Sequence, residues 1–384
     1  MNRTIAVITT SRSDYNYLYW ILRELSGHPG VELRLIAMGS HLSPEFGNTV
    51  QQIERDGFAV TRIECLLSSD TDVGMAKTIG LATLSLADLL GDIRPDLLLL
   101  TADRYEMLAP ASVALALRIP VAHIEGGEIS EGAIDDAVRN ALTKLSHLHF
   151  TSTAYARARV ISLGEDPARV HQVGAASLDH LHRSKLLARE ELEGQLNVSF
   201  RRPAILVGYH PVTVLRDTTA EAGALFSALG QVDGQLLFCY PNADAGSRYL
   251  IERTRSFASQ RDNVSVFVNL EPATYWSLLR QADLFVGNSS SGIIETASFA
   301  LPTVNVGIRQ RGREHGENVL DAEANVDAIL SSIAQALSQS FRESLQGMTN
   351  PYGDGHTACR IARLLAETPI DESFIIKRTG DVRA

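Results

Sequence analysis

Short runs of apolar residues alternate with helix-like segments of mixed polarity along the whole chain. In the first half such runs occur at Ile5–Ile8, Leu33–Ala37, Leu97–Leu100, Val121–Ile124, Leu148–Thr151 and Val170–Val173. Strands of a parallel sheet are covered by helices on both faces, so they appear as continuous apolar runs. The pattern restarts in the second half, at Ala204–Val207, Leu236–Phe238, Val264–Phe267, Leu284–Val286 and Thr303–Val306. The chain is therefore predicted to be an α/β protein with two doubly wound parallel sheets.

A charged, helix-like segment around Lys185–Gln195 separates the two patterns. We expect an N-terminal Rossmann-like domain over 1–178, a C-terminal one over 179–365, and a tail over 366–384 that packs back on the first domain. Two such domains facing each other across a cleft form the nucleotide-sugar glycosyltransferase architecture called GT-B. Ligands of doubly wound sheets bind at the carboxyl ends of the strands, so functional residues are expected just after the apolar runs.

Composition and charge narrow the class of partner. The 384 residues are 45% hydrophobic and 21% charged, as in ordinary globular proteins. A net charge of −10 argues against a nucleic-acid partner, which requires clustered cations. The three cysteines are far apart, so they predict a cytoplasmic protein without a disulfide framework or a metal site. No run approaches the ~18–20 apolar residues of a membrane span, so no membrane partner is expected.

Charged residues follow two neighbouring apolar runs of the first half. Asp103 and Arg104 come after Leu97–Leu100, and His123 and Glu125 end the next run. Charged side chains at the ends of buried strands are energetically unfavourable unless they form ion pairs or serve in binding or catalysis. The pattern indicates either an acid–base site or a structural network of salt bridges.

Two other features of the first half have both a structural and a functional interpretation. Asp135 and Asp136 precede or open a helix, where an aspartate is most often a cap. With Glu125 nearby, however, they place several carboxylates in one region, whose repulsion can raise the pKa of one of them. Arg12 stands where the first strand leads into a helix, and is either part of an anion site or a solvated side chain.

The second half carries residues suited to a diphosphate. Ser289 and Ser290 follow a strand that ends in Gly287, so hydroxyls and backbone amides can point at one anion. Glu295, expected on the following helix, can accept hydrogen bonds from a ribose. The alternative is a Ser-rich capped turn. His210 follows the first strand of this half and is either a phosphate ligand or an ordinary loop residue.

Two further loops of the second half contain candidate ligands. Asn242 lies in the turn-rich segment Tyr240–Ser247, which either contacts a base or simply turns the chain. Arg309 and Arg313 stand among glycines in Gly307–Asn318, a composition typical of a phosphate-binding or closure loop. The spacing does not decide which arginine binds.

These motifs run in order over almost the whole chain. They include Arg12-Ser13-Asp14-Tyr15, Gly39-Ser40-His41-Leu42, Asp103-Arg104, His123-Ile124-Glu125-Gly126-Gly127-Glu128, Ile134-Asp135-Asp136, His210-Pro211-Val212-Thr213, Gly287-Asn288-Ser289-Ser290, Gly312-Arg313-Glu314 and Tyr352-Gly353-Asp354-Gly355. The combination resembles the hydrolysing UDP-N-acetylglucosamine 2-epimerases of the bacterial sialic and legionaminic acid pathways and of the bifunctional animal enzyme. One departure is Thr101-Ala102, where many relatives have a glycine before Asp-Arg.

The resemblance implies that the second domain binds UDP and the first carries the sugar chemistry. UDP binding is assigned to Arg12, His210, Asn242, Ser289, Ser290, Glu295, Arg309 and Arg313. Base and acid are assigned to Asp103, Glu125 and Asp135, with His123 and Asp136 as orienting or proton-relaying groups and Arg104 as a charge partner. No metal or cofactor is required, and a homodimer or homotetramer is implied.

The implied reaction removes the C2 proton of UDP-N-acetylglucosamine and expels UDP by anti elimination. Water then adds to the 2-acetamidoglucal to give free N-acetylmannosamine, a precursor of sialic-type acids. A substrate of the legionaminic type, UDP-N,N'-diacetylbacillosamine or GDP-N-acetylglucosamine, is the alternative. The carboxylate cluster argues against a GT-B glycosyltransferase and a non-enzymatic sensor. Tyr17, where a non-hydrolysing epimerase has lysine, argues against that class.

Overall fold

The protein forms two compact units, each built on its own parallel sheet. The computed structural model describes residues 2–67, 69, 71–240, 244–268 and 270–377. The first unit consists of the described residues up to Glu128, Ile134–Asp179 and the described residues from Tyr352 on. The second consists of Ile129–Ala133 and the described residues of His180–Pro351. The predicted α/β class with two doubly wound sheets is confirmed.

The first unit alternates strands and helices from its beginning. Its elements before the second unit are β1 (Arg3–Thr9), α1 (Arg12–Gly27), β2 (Val31–Met38), α2 (Val50–Arg55), β3 (Val60–Ile63), α3 (Asp72–Ile93), β4 (Leu97–Thr101), α4 (Leu108–Leu117), β5 (Val121–Ile124), α5 (Asp135–Leu145), β6 (Leu148–Thr151), α6 (Ala154–Ser162) and β7 (Val170–Gln172). The strands pair in parallel in the order β3-β2-β1-β4-β5-β6-β7. Ile5 and Val7 enter the core on one face, and Ala6 and Ile8 enter the core on the other. Burial on both faces is why β1 is apolar throughout.

The second unit repeats this strand order with six strands. Its elements are α7 (His180–Arg183), α8 (Arg189–Leu196), β8 (Ala204–Gly208), α9 (Ala222–Leu229), β9 (Gln235–Cys239), α10 (Ser247–Ser259), β10 (Val264–Phe267), α11 (Pro272–Gln281), β11 (Leu284–Gly287), α12 (Ser291–Ile294), β12 (Thr303–Val306), β13 (Val319–Ala322), α13 (Val326–Leu337) and α14 (Gln339–Ser344). The order is β10-β9-β8-β11-β12-β13. Ile205 and Val207 point into one core and Leu206 into the other. The charged segment of the sequence corresponds to α8.

After the second unit the chain returns to the first as α15 (Thr357–Glu367) and α16 (Glu372–Ile375). The buried carboxylate of Asp179 accepts hydrogen bonds from the amides of Thr357 at 2.8 Å and Ala358 at 3.2 Å, which stabilises the N-terminus of α15. Ile361 and Leu365 then complete the core that lies beside α1. The sequence had suggested that the second domain extends to residue 365; in the structure α15 packs in the first unit.

The helix α3 is unusually apolar for its position. Within the described residues it is the one helix long and apolar enough to cross a membrane, with a mean hydropathy of 1.4 over its best window. Only 28% of that window is buried. Core helices of soluble proteins pass the same test of length and composition, so one such helix is weak evidence for a membrane span.

Candidate active site

The loops that follow β4 and β5 begin with strained residues. Ala102 has φ 55° and Glu125 has φ 65°, the left-handed region that a side chain disfavours by about 1–2 kcal/mol. Each is held by a backbone hydrogen bond to the next strand, from Ala102 N–H to Ile124 and from Glu125 N–H to Phe150. The family resemblance predicted a glycine at this position, and glycine would adopt φ 55° without this strain. Strain of this kind is concentrated at functional sites.

His123 supports this turn from β5. Its Nε2 lies 2.7 Å from the carbonyl oxygen of Ala102, and because that oxygen can only accept, Nε2 carries the proton. Burial lowers the pKa of His123 to about 4, so the ring is neutral at physiological pH. Its Nδ1 has no partner in the described part of the chain and faces Gly126, where an added Cβ would lie 3.3 Å away. His123 therefore positions the loop that carries Asp103.

Arg139 joins the carboxylates of this region. From α5 its guanidinium, 1% exposed, pairs with Asp103 and lies 3.4 Å from Asp136, and it donates to the carbonyl of Glu128 at 3.0 Å. A buried guanidinium that faces a carboxylate favours its ionised form. The sequence analysis did not single out Arg139. The available signal was its spacing of three residues from Asp136 on a helix, which places both on one face.

A second buried ion-pair group lies at the ends of β1 and β4. Arg104 binds Glu106 through two hydrogen bonds of 3.0 and 3.2 Å, and Glu106 is fully buried. Asp14 accepts from the amide of Thr10 at 3.0 Å. Burial raises the pKa of both Asp14 and Glu106, and the nearby Arg104 opposes that rise. Arg104 was predicted to be a charge partner of the candidate base and acid, and this role stays a prediction; Glu106 is a carboxylate that it binds in the structure.

The other predicted residues of the first unit open helices. Asp135 and Asp136 are the first two residues of α5, whose N-cap is Ile134 without a side-chain capping bond. Neither is therefore the cap that the structural interpretation proposed. Arg12 is the first residue of α1, behind the N-cap Ser11.

Glu128 ends the Gly-Gly motif and connects it to the returning chain. Its carboxylate accepts from the hydroxyls of Ser152 and, at 3.2 Å, Tyr352, and all three side chains are buried. Gly127 before it has φ 84°, and a Cβ there would overlap the carbonyl of Ala156. The motif thus requires glycine for close backbone approach.

In the second unit, two glycines meet at the ends of the central strands. Gly208 of β8 pairs with Gly287 of β11, which has φ 146°, and a Cβ on Gly287 would overlap the carbonyl oxygen of Gly208. That oxygen also accepts from the amides of Asn288 at 3.0 Å and Ser289 at 3.2 Å. Two of the amides expected to face an anion are thus already used inside the turn.

Asn288 holds three loops of the second unit together. Its side chain exchanges two hydrogen bonds with the backbone of His210, at 2.7 and 2.9 Å. Its carbonyl accepts from Arg309 and Gln310, each at 3.0 Å. The loops after β8, β11 and β12 are therefore fixed around one neutral buried amide. His210, Ser289 and Arg309, which the sequence had linked only as separate motifs, are brought together by it.

The remaining predicted ligands of the second unit are Ser290, Glu295, Arg313 and Asn242. Ser290 is the N-cap of α12, which ends at Ile294, so the buried Glu295 follows that helix instead of lying on it. Arg313 is buried and donates to the side chain of Gln310 at 3.1 Å. Asn242 lies outside the described residues.

Comparison with known proteins identifies the family that has this architecture. The family model described as UDP-N-acetylglucosamine 2-epimerase matches residues 23–366. The chain belongs to this family. It is 35% identical over 98% of its length to the Legionella pneumophila UDP-N,N'-diacetylbacillosamine 2-epimerase (hydrolyzing), of which the match covers 99%. It is 34% identical over 84% of its length to the Campylobacter jejuni GDP/UDP-N,N'-diacetylbacillosamine 2-epimerase (hydrolyzing), of which the match covers 85%.

The fold is also that of solved members of the family. The Methanocaldococcus jannaschii UDP-GlcNAc 2-epimerase in complex with UDP-GlcNAc and UDP superposes with a TM-score of 0.76 at 16% identity. The match covers 94% of this chain and 99% of that one. The resemblance read from the motifs is confirmed: the protein is an enzyme of the hydrolysing nucleotide-sugar 2-epimerases, with the two-domain GT-B type of fold.

Proposed function

We propose that this enzyme converts a UDP-linked 2-acetamido sugar to UDP and the free sugar inverted at C2. The observation that carries the proposal is the group of Asp103, Arg139 and His123 at the ends of β4 and β5. It holds a carboxylate that is ion-paired with a guanidinium, beside a neutral imidazole, and a positioned carboxylate is a base suited to abstraction of a proton next to an acetal carbon.

The preferred substrate is UDP-N,N'-diacetylbacillosamine. The sequence motifs alone favoured UDP-N-acetylglucosamine, but both relatives described above are named for the diacetamido sugar. UDP-N-acetylglucosamine is the second candidate, because the matching family model carries its name. A GDP-linked sugar is the third, since the name of the Campylobacter relative includes both nucleotides.

In the first step a carboxylate of the first unit takes the C2 proton, and the bond between C1 and the phosphate oxygen breaks. UDP leaves with the electron pair of that bond, and a C1–C2 double bond forms. Asp103, Glu125 and Asp135 are the candidates for base and acid, with Asp136 beside Asp103 on Arg139. His123 acts as a positioning residue, since its Nε2–H is committed to the backbone of Ala102.

In the second step water adds across the double bond. Its hydroxyl joins C1, and a proton is delivered to C2 on the face opposite to the one that lost it, so the free sugar emerges inverted at C2. The acid of this step must be a group that gained or kept a proton during the first.

UDP is assigned to the second unit. Ser289, Ser290, His210 and Arg309 would hold the diphosphate, with Arg12 of the first unit. Negative charge develops on the leaving phosphate, so arginine donors stabilise the transition state more than the ground state. Glu295 would accept hydrogen bonds from the ribose, and Asn242 and Arg313 are further candidates for contacts with UDP.

The proposed setting is the cytoplasm, where the enzyme would act as a homodimer or homotetramer in the synthesis of a sialic or legionaminic type of acid. The three cysteines form no disulfide, which agrees with that setting.

The test is turnover in deuterated water, followed by proton NMR. The purified enzyme is given UDP-N,N'-diacetylbacillosamine, UDP-N-acetylglucosamine and GDP-N-acetylglucosamine in separate reactions. We expect UDP and a free sugar inverted and deuterated at C2 from the first. A product that keeps its nucleotide, or that carries no deuterium at C2, contradicts the proposed chemistry. Efficient turnover of one of the other two substrates would support the proposed chemistry but contradict the proposed substrate.

A matched pair of variants tests the site. Glu125→Gln should reduce turnover by about 10²–10⁴-fold, the usual contribution of general acid–base catalysis. Glu64→Gln replaces an exposed carboxylate on the same unit and should leave turnover unchanged.

A further inference from the structure

Glu128 ends the loop that begins with Glu125. Between them stand Gly126 and Gly127, which have no side chains, and Gly127 has φ 84°. Glycine has more backbone freedom than any other residue, so the conformation of this loop depends on what holds its two ends. At one end the amide of Glu125 donates to the carbonyl of Phe150 at 2.8 Å. At the other end Glu128 is 4% exposed and is held by its side chain.

The carboxylate of Glu128 is bound by two buried hydroxyls. Ser152, which follows β6, donates to Oε1, and Tyr352 donates to Oε2 at 3.2 Å. Ser152 is 1% exposed and Tyr352 is fully buried. A buried polar group without its partner is costly because it has also lost its contact with water, so each hydroxyl restricts where Glu128 can lie.

Tyr352 stands where the chain returns to the first unit for the last time. The chain leaves this unit after Glu128, and Pro351 is the last residue of the second unit. The carbonyl of Tyr352 accepts from the amide of Ala175 at 2.8 Å, which fixes the backbone at the point of return. The hydrogen bond between Tyr352 and Glu128 therefore joins two distant parts of the sequence, 224 residues apart, at two ends of segments of the first unit.

The backbone of Glu128 connects this anchor to Asp103. Its carbonyl accepts from Nη1 of Arg139 at 3.0 Å, and the same guanidinium is paired with Asp103 and lies 3.4 Å from Asp136. The donors of a guanidinium point in fixed directions within one plane. A shift of the Glu128 carbonyl therefore changes the direction from which Arg139 reaches Asp103.

We propose that Glu128 and Tyr352 are positioning residues for the reaction of the first unit. The inference rests on the proposed function, in which Glu125 and Asp103 act on the sugar. The hydrogen bond between Tyr352 and Glu128 fixes one end of the Gly-Gly loop. That loop carries Glu125, and through Arg139 it also orients Asp103. Because a misplacement of about 1 Å at a reacting group can cost about 100-fold in rate, this bond acts on the rate without contacting the substrate.

The first test is Tyr352→Phe, which removes one hydroxyl and keeps the ring. We expect kcat to fall about 10–100-fold and the Kd for UDP to stay within about twofold of native, because UDP is assigned to the second unit. Kinetics followed by NMR measure kcat, and calorimetric titration measures the Kd. The control is Tyr155→Phe, at a tyrosine 52% exposed on α6 of the same unit, which should keep the native kcat. A native kcat in Tyr352→Phe, or an equal loss of UDP affinity, would overturn the proposal.

A double-mutant cycle on kcat tests whether the two residues act through one bond. Glu128→Leu removes both acceptor oxygens and should lower kcat at least as far as Tyr352→Phe does. The double variant should lie within about threefold of Glu128→Leu, since the second change removes a hydrogen bond that is already lost. Multiplied effects would show that Glu128 and Tyr352 act separately, and they would contradict the proposal.

Hydrogen exchange measured by mass spectrometry tests the anchor independently of turnover. In Tyr352→Phe, and in Ser152→Ala, which removes the other hydroxyl, we expect amide exchange over residues 125–139 to be about threefold faster than native, with native exchange in β8. Absence of turnover in the native enzyme would contradict the proposed function. Native exchange over residues 125–139 in both variants would instead overturn the positioning role, whatever the substrate.

Discussion

The two units share one strand order, yet they place different chemistry at the carboxyl ends of their strands. The first unit has ion-paired charged groups beyond its strands, Asp103 with the buried Arg139 of α5, and the buried pair of Glu106 and Arg104. The second ends its strands in glycines and a neutral amide, with Gly208, Gly287 and Asn288 at the centre. Repetition of a topology therefore does not repeat a function; the residues after each strand decide it.

The difference is also one of backbone strain. At the strand ends of the first unit, Ala102 and Glu125 take left-handed conformations with their side chains in place. In the second unit the corresponding strand ends have Gly287 and Gly307 at positive φ. The first unit therefore carries strain at these two turns, whereas the second uses glycine where another part of the chain approaches closely.

The largest expected effect is the loss of charge at the first unit's site. Asp103→Asn should reduce turnover by about 10²–10⁴-fold with little change in UDP affinity, because the nucleotide is assigned to the second unit. Stopped reactions analysed by NMR measure the first quantity and calorimetric titration with UDP the second. Asp92→Asn, an exposed position on α3, is the control. A parallel loss of UDP affinity would contradict the assignment of UDP binding to the second unit and of the sugar chemistry to the first.

Close approach in the second unit is tested next. Gly287→Ala should lower the free energy of unfolding by about 2–4 kcal/mol, since the new Cβ would overlap the carbonyl of Gly208 in addition to straining the backbone. Gly57→Ala is the matched control: φ there is 84°, but the space around it is open, so only about 1 kcal/mol is expected. Chemical denaturation measures both. Equal losses would show that backbone conformation alone requires glycine at 287.

Acidification should lower the free energy of unfolding of the first unit, because its His41 is buried in the neutral form. Burial, with the charge of Arg104, lowers the pKa of this histidine from 6.5 to about 3. The unfolded chain takes up a proton below pH 6.5 while the folded one does not, so stability is lost as pH falls from 6.5 towards 3. The stability difference between native enzyme and His41→Gln should shrink by about 1.4 kcal/mol per pH unit in that window. Above pH 7.5 the difference should be constant; a constant difference at pH 5 as well would refute the assignment.

The smallest effect concerns strain at the turn before Asp103. Ala102→Gly should raise the free energy of unfolding by about 1 kcal/mol, because φ 55° suits glycine. Ala87→Gly, in the middle of α3, should lower it by about 1 kcal/mol, since glycine is unfavourable inside a helix. Thermal and denaturant unfolding decide the sign. Loss of stability in Ala102→Gly would mean that side-chain contacts of the methyl group outweigh the strain.

The sequence predicted the central strands better than the edges. Every run buried on both faces corresponds to a strand, but β3 and β13 were missed. Each lies at one edge of its sheet, whereas the strands at the opposite edges, β7 and β10, were predicted. Thr61, Arg62 and Asp321 are exposed polar residues within the two missed strands. A strand covered on one side only does not read as a continuous apolar run.

The sequence provided candidate residues for the site but not their structural partners. Ligands of such sheets bind where the strands end, so Asp103, His123 and Ser289 could be named as candidates from their positions along the chain. The partners could not, because Arg139 reaches Asp103 across 36 residues of sequence and Asn288 reaches His210 across 78. The packing of α15 on the first unit could not be predicted either, since an amphipathic pattern does not specify which sheet the helix covers.

The return of α15 to the first unit has a consequence for protein synthesis. Its residues Ile361 and Leu365 belong to the core around β1, so a core that begins with β1 and α1 is completed by a helix that is synthesised much later. At about 5–20 residues per second, a ribosome needs roughly 10–40 s to pass from Asp179 to the end of that helix. During this interval the apolar side of α1 lacks its cover. Nascent chains arrested before Thr357 should therefore be cleaved by protease in the first unit more readily than chains released after Ile375.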